Sequence, residues 1–83
     1  MSALHELLQA LHGVEEHMTR ARGELATSRS ALVEAQAALA SLDPHHPETV
    51  VPPGLFRADD QITRAIDLLD RSGALLGDFA GRL

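Results

Sequence analysis

The stretch Asp43-Pro-His-His-Pro-Glu-Thr-Val-Val-Pro-Pro-Gly54 divides the 83-residue chain into two parts, and it contains all four of the prolines. The residue that precedes a proline is biased away from helical backbone angles, so a helix arriving from the N-terminal side has to end near this stretch. Proline is also favoured in the first turn of a helix, so a second helix can begin near Pro53. The stretch therefore predicts a turn between two helices.

Apolar residues recur at intervals of seven on both sides of this turn. A spacing of seven is close to two helical turns, so each series forms one stripe along a helix. The stripes comprise Leu4, Leu11, Met18, Leu25, Leu32 and Leu39 before the turn, and Leu55, Ile62, Leu69, Leu76 and Leu83 after it. We predict an all-α, two-helix antiparallel hairpin with helices over about 3–42 and 53–82, forming one domain over 1–83. The first helix should be about 60 Å long.

The apolar stripes are broader than one helix pair requires. With Leu4 and Leu55 as heptad position a, the d positions should complete the seam between the helices. In the first helix these are Leu7, Val14, Ala21, Ser28, Ala35 and Leu42. In the second helix, Leu68 and Leu75 widen the stripe beyond its d positions, which indicates more than one neighbouring helix. We therefore expect two hairpins to form a homodimeric four-helix bundle.

The amino-acid composition and net charge argue against several classes of function. The net charge is −5, all seven basic residues are Arg, and there is no Cys. A nucleic-acid partner is not expected, because phosphate binding needs clustered basic residues. The N-terminus lacks the features of a signal peptide and no segment is apolar enough to span a membrane, so we expect a soluble, cytoplasmic protein. Secretion by a route independent of a signal peptide stays open. The use of Arg alone is typical of a GC-rich genome and points to an actinobacterial source.

The sequence offers little catalytic or metal-binding chemistry. It contains no Cys, Lys or Tyr and no Gly-rich phosphate loop, so we predict that the protein is not an enzyme and has no catalytic residue and no cofactor. The five His residues are the only candidates for a metal site. His12 and Glu16 are the one pair at helical ligand spacing, with His45 and His46 in the turn, and a zinc site needs three or four ligands. We predict no metal site.

The apolar end of the turn is the most partner-like segment. Val50, Val51, Leu55 and Phe56 lie close together in sequence, and they can either fold back to close the end of the bundle or form an exposed docking knob. We predict a partner-binding set drawn from this tip and from the second helix. Its members are Val50, Val51, Leu55, Phe56, Ile62, Ile66, Leu69 and Leu76.

Two further patterns concern the helices alone. Four acid-to-Arg pairs have the favourable i,i+4 spacing, each worth only tenths of a kcal/mol. They are Glu16 with Arg20, Asp60 with Arg64, Asp67 with Arg71, and Asp78 with Arg82. Gly73, Gly77 and Gly81 are spaced by four, a pattern that either permits close helix approach or weakens the helix. We expect a continuous helix that frays at its C-terminal end.

The two long helices around Pro52-Pro53-Gly54-Leu55-Phe56 resemble the small helical-hairpin proteins of type VII secretion, the Trp-X-Gly family. That family carries Trp-X-Gly in the turn and Tyr-x-x-x-Asp or Glu in the C-terminal tail, whereas this chain has no Trp and no Tyr. The resemblance therefore covers the architecture and transfers no functional residue. It implies paired hairpins, a second and different subunit, and export as a folded dimer.

Three hypotheses for the function follow from these patterns. The first is a non-enzymatic interaction or adaptor protein that self-associates through its Leu-rich stripes. The second is a hairpin like those of type VII secretion, working with a similar helical partner. The third is a small helical bundle that binds a ligand or a metal.

Overall fold

A computed structural model describes residues 2–83 of the chain and consists of two long helices joined by a short turn. Helix α1 spans Ala3–Ala40, a single turn of 3-10 helix spans Pro47–Thr49, and helix α2 spans Pro53–Arg82. Residues 2–83 contain no strand. The all-helical fold and its hairpin organisation are confirmed.

The ends of the helices follow from local chemistry. Ser2 caps α1, because its hydroxyl oxygen accepts the N–H of His5 at 3.1 Å. The predicted end at residue 42 was two residues too long, since Ser41 is the C-cap and Leu42 and Asp43 make only turn hydrogen bonds to Leu39 and Ala40. Helix α2 begins at Pro53, as predicted.

The hairpin is a thin rod. It measures 64 × 15 × 15 Å, with a radius of gyration of 18.9 Å, whereas a compact domain of this length would have about 12 Å. Val51 is the only buried residue in 2–83, with 5% of its surface exposed. Two helices side by side cover only one stripe of each other, so the rod has no enclosed core.

The a stripe lies in the seam between the helices, as predicted. Its members Leu11, Met18, Leu25, Leu32 and Leu39 are half-buried, and so are Leu55, Ile62, Leu69 and Leu76 of α2. Leu4 and Leu83, at the open end of the hairpin, stay 46% and 45% exposed.

The prediction that the d positions of α1 complete this seam was wrong. Leu7, Val14 and Leu42 are 41%, 46% and 72% exposed, Ser28 and Ala35 are also exposed, and only Ala21 is half-buried. The e positions Arg22, Arg29 and Gln36 bond to α2 instead. A straight helix has 3.6 residues per turn rather than 3.5, and here the contact stripe of α1 falls between a and e.

Of the four predicted i,i+4 ion pairs, one forms. Arg71 lies 2.6 Å from Asp67, whereas Glu16 pairs with His12 at 3.1 Å and Arg20 contacts His17 at 2.9 Å. Asp60 with Arg64 and Asp78 with Arg82 make no contact within 4 Å. Exposed pairs contribute too little energy to hold two long side chains in one geometry.

Glycine does not interrupt either helix. A Cβ built on Gly73, Gly77 or Gly81 would have no neighbour within 4 Å, so these glycines permit no close approach inside the hairpin. Helix α2 runs through all three to Arg82. The predicted continuity of this helix is confirmed, and its fraying at the C-terminal end stays a prediction.

Candidate interaction surface

Three polar contacts cross the seam and set the register of the two helices. Arg22 Nε lies 2.6 Å from Asp70 Oδ1, and Arg29 Nε lies 2.9 Å from Asp59 Oδ1. Gln36 Nε2 donates to the carbonyl oxygen of Leu55 at 3.3 Å. Because the two helices are antiparallel, these three contacts determine which residues of α1 lie beside which residues of α2.

The Arg22 contact also affects protonation. The hydrogen bond to Asp70, followed by the negative charge of Asp70, raises the pKa of Arg22. Arg22 therefore stays cationic throughout the range of pH in which proteins are normally studied.

Both helices present their d and g positions to the same side of the hairpin. Successive residues are rotated by about 100° around a helix, so d and g lie on one side of the a stripe and b lies on the other. When two right-handed helices run antiparallel, their d sides point the same way. We call this surface the d/g face. Its members in α1 are Leu7, Ala10, Val14, His17, Ala21, Glu24, Ser28, Ala31, Ala35 and Ala38. In α2 they are Ala58, Gln61, Ala65, Leu68, Ser72, Leu75, Phe79 and Arg82.

The d/g face is apolar and exposed. Large side chains that a globular protein would bury stand in solvent there, with Leu68 at 57%, Leu75 at 70% and Phe79 at 49% exposure. Leu7 and Val14 of α1 add to the same surface. An exposed apolar surface that runs along two helices is typical of a protein interaction site.

Charge is almost confined to the rest of the surface. Of the seven basic and 12 acidic residues, only Glu24 and Arg82 occupy d or g positions. The side with the b positions instead carries the Arg22–Asp70 contact and polar residues such as Thr19 and Thr63. The hairpin therefore carries most of its charge away from the d/g face, although each helix already has a partner along its seam.

The total accessible surface measures this lack of burial. The chain exposes 6096 Å², whereas a compact monomer of 8.9 kDa would expose about 4,800 Å². The excess of roughly 1,300 Å² exceeds the area of about 800 Å² that one partner buries in a standard protein interface. One hairpin thus leaves exposed the area that a second hairpin could cover.

The turn folds back onto α1 at the loop end. Val51 is buried and Val50 is half-buried, so this part of the tip closes the end of the hairpin. Phe56 remains 53% exposed at the rim of a shallow apolar depression, which is also lined by Val33, Ala37 and Ala40. This depression lies on the side with the b positions, away from the d/g face.

The predicted partner-binding residues occupy two environments. Leu55, Ile62, Ile66, Leu69 and Leu76 are half-buried where α2 faces α1, and Val50 and Val51 lie in the folded-back turn. Phe56 is the one member of this set whose side chain is mainly exposed. The exposed residues of the d/g face, above all Leu68, Leu75 and Phe79, were not in that set, although the width of the stripe on α2 had pointed to two of them.

Two of the five histidines pair with a carboxylate. His12 Nε2 lies 3.1 Å from Glu16 Oε1, and His46 Nδ1 lies 3.7 Å from Glu48 Oε1. Within residues 2–83, no three His, Asp or Glu side chains come together in a group that could hold a metal ion. That the protein binds no metal stays a prediction.

Neither α1 nor α2 has a stretch that is long and apolar enough to cross a bilayer. Comparison with known proteins found no matching family model, no matching curated protein and no matching solved structure.

Proposed function

We propose that this chain is a non-enzymatic structural or adaptor protein, whose working unit is a homodimer formed through the d/g face. In that dimer two hairpins make a four-helix bundle, and each covers the apolar side that the other leaves in solvent. The interaction surface is the d/g face itself, with Leu68, Leu75 and Phe79 as its largest exposed side chains.

The observation that carries this proposal is the length of the exposed surface on which Glu24 and Arg82 are the only charged residues. A rod 64 Å long and 15 Å wide presents a projected area of about 960 Å² on one side. A standard interface needs about 800 Å² from each partner, so a second hairpin on this side meets the requirement for a stable dimer. A single hairpin, with Val51 as its only buried residue among 2–83, gains too little burial to offset the conformational entropy of folding.

The chemistry of the chain supports a role in binding rather than catalysis. Nucleophilic catalysis needs an activated side chain beside a base, and this sequence has no Cys and no Lys. The d/g face is largely apolar and extended, so it is better able to bind another helical surface than a small polar substrate.

The test is the molar mass in solution by light scattering, with circular dichroism on the same peak. We expect a highly helical species of twice the 8.9 kDa chain mass. Leu75→Glu places a charge within the interface and should yield a monomer with weak helicity. The matched control is Ala74→Glu, which adds the same charge to an exposed f position next to it and should leave the dimer intact.

A monomeric wild-type protein would overturn the homodimer. In that case the d/g face would be assigned to a different helical partner, as the architecture of the type VII secretion hairpins implies. Two-component mixtures with a second hairpin would then be measured in the same way. A dimer that Leu75→Glu leaves unchanged would show that copies associate through another surface.

A further inference from the structure

The d/g face differs in side-chain size between its two halves. Its large apolar residues lie from the middle of the rod to the open end, away from the turn. They are Leu7, Val14, Leu68, Leu75 and Phe79. The half next to the turn carries small residues, namely Ser28, Ala31, Ala35, Ala38, Ala58 and Ala65. We call these the open half and the loop half.

We infer that the dimer is antiparallel end to end, with the two turns at opposite ends of the bundle. The open half of each hairpin then packs on the loop half of its partner. This inference rests on the proposed function, since it specifies how a second copy occupies the d/g face.

The register of the hairpin shows how the sizes match. When α1 of one copy lies antiparallel to α1 of the other over its full length, Leu7 comes level with Ala38 of the partner subunit. Val14 then comes level with Ala31 of the partner subunit. The contacts of Arg22 with Asp70 and of Gln36 with Leu55 show which residues of α2 lie beside α1 in each copy. It follows that Phe79 comes level with Ala58 of the partner subunit.

The pairings of Leu7, Val14 and Phe79 place large side chains against small ones, whereas Leu75 comes level with the longer Gln61 of the partner subunit. Interiors reach the packing density of native proteins when large and small residues alternate across facing positions. Close to the twofold axis Leu68 meets its own copy, and Glu24 comes level with Ala21 of the partner subunit, so the two Glu24 side chains lie about three residues of helical rise apart. In side-chain size, the d/g face is thus largely complementary to itself after reversal, as a closed twofold dimer requires.

The parallel alternative matches sizes poorly. With both turns at the same end, α1 of one copy faces α2 of the other at the same level. Val14 then meets Leu75 and Phe79 of the partner subunit, while Ala35 meets Ala58 of the partner subunit. Large residues would crowd the open ends, and small residues would leave a gap between the loop ends that forfeits van der Waals contact.

The experiment measures distances between spin labels by pulsed electron paramagnetic resonance. The sequence has no Cys, so His45→Cys labels the turn alone and Gln9→Cys labels an exposed position near the open end. In a dimer labelled at His45→Cys in both copies, we expect a separation close to the 64 Å length of the rod.

A mixed dimer provides the reciprocal measurement. One copy carries His45→Cys and the other carries Gln9→Cys, and we expect the labels within about 25 Å, because only about nine residues of helical rise separate their levels. A parallel dimer would reverse both results, with a short distance in the first sample and a long one in the second. That reversal would overturn the antiparallel arrangement and leave the homodimer standing.

Absence of any defined distance in either sample would show that no dimer forms. It would overturn the proposed function together with this inference, and light scattering on the same unlabelled protein would confirm that outcome. Since both labels replace exposed polar side chains, the helicity of each variant should equal that of the wild type, and circular dichroism checks this.

Discussion

Arg22, Arg29 and Gln36 are the residues of α1 that connect the two helices by polar contacts, although position e of a heptad is outside the usual apolar seam. For Arg22, the folded state raises the pKa. A raised pKa stabilises the fold fully at any pH below the unfolded value, and the benefit is lost only as the pH rises through the higher folded value. Stability near neutral pH should therefore show no dependence on the ionisation of Arg22.

The pair of Arg29 and Asp59 should stabilise the hairpin weakly and measurably. The Asp59 side chain is only 25% exposed, the least of any ion-pair member in residues 2–83. We expect a double-mutant cycle of Arg29→Ala and Asp59→Ala to give a coupling of about 0.5–1 kcal/mol in urea unfolding, falling at high salt. The control is the exposed pair Asp67 and Arg71, for which we expect about 0.3 kcal/mol. Equal coupling for the two pairs would show that partial burial adds nothing.

Gly23 and Gly77 reduce the stability of their helices without a steric reason. Both are exposed, and a Cβ at either position would have no neighbour within 4 Å. We expect Gly23→Ala and Gly77→Ala each to raise the free energy of unfolding by about 1 kcal/mol per chain, since Ala loses less conformational entropy in a helix. Chemical denaturation at fixed protein concentration is the measurement. No gain at Gly77, which lies at a b position away from the d/g face, would point to a contact there outside the proposed dimer.

At the scale of the helices, adjacent leucines of α2 have different tasks. Leu69 is half-buried against α1, whereas Leu68 is 57% exposed on the d/g face. One step along a helix rotates a side chain by about 100°, so neighbours in sequence can belong to different interfaces.

Because Leu69 and Leu68 lie in different interfaces, substituting each of them separately tests the two interfaces. Leu69→Asp should unpair the helices and abolish both the helical signal and the assembly, because an unpaired carboxylate would enter the seam. Leu68→Asp should weaken dimerisation. The variant should be a monomer at a protein concentration at which the wild type is a dimer, and it should dimerise again at a higher concentration. Circular dichroism and light scattering over a concentration series test both variants. Identical behaviour of the two would contradict the assignment of separate interfaces.

The sequence predicted the helices better than it predicted their contacts. Seven-residue spacing and the prolines of 43–54 placed the hairpin and the start of α2 at Pro53, because helix formation and its interruption are local. The choice between d and e for the seam depended on small differences in helix rotation, which the spacing does not resolve. A signal was present nevertheless, since Arg22, Arg29 and Gln36 recur every seven residues and α2 offers Asp59 and Asp70 at compatible levels.

At the scale of the whole molecule, the distribution of charge should govern how the assembly responds to salt. Only Glu24 and Arg82 among the charged residues lie on the d/g face. We expect the dissociation constant of the dimer to change less than about threefold between low and high salt, because burial of apolar surface is insensitive to screening. Sedimentation equilibrium over a salt series measures it. A steep loss of affinity with salt would point to an interface on the charged side.

Because Val51 is the only buried residue in 2–83, a single hairpin should be prone to degradation in a cell. A solitary copy should therefore open often, and proteases degrade open chains. The proposed association would withdraw copies from that pool by mass action. The steady amount of protein should then rise more steeply than its rate of synthesis, so that low expression is cleared and abundant expression persists.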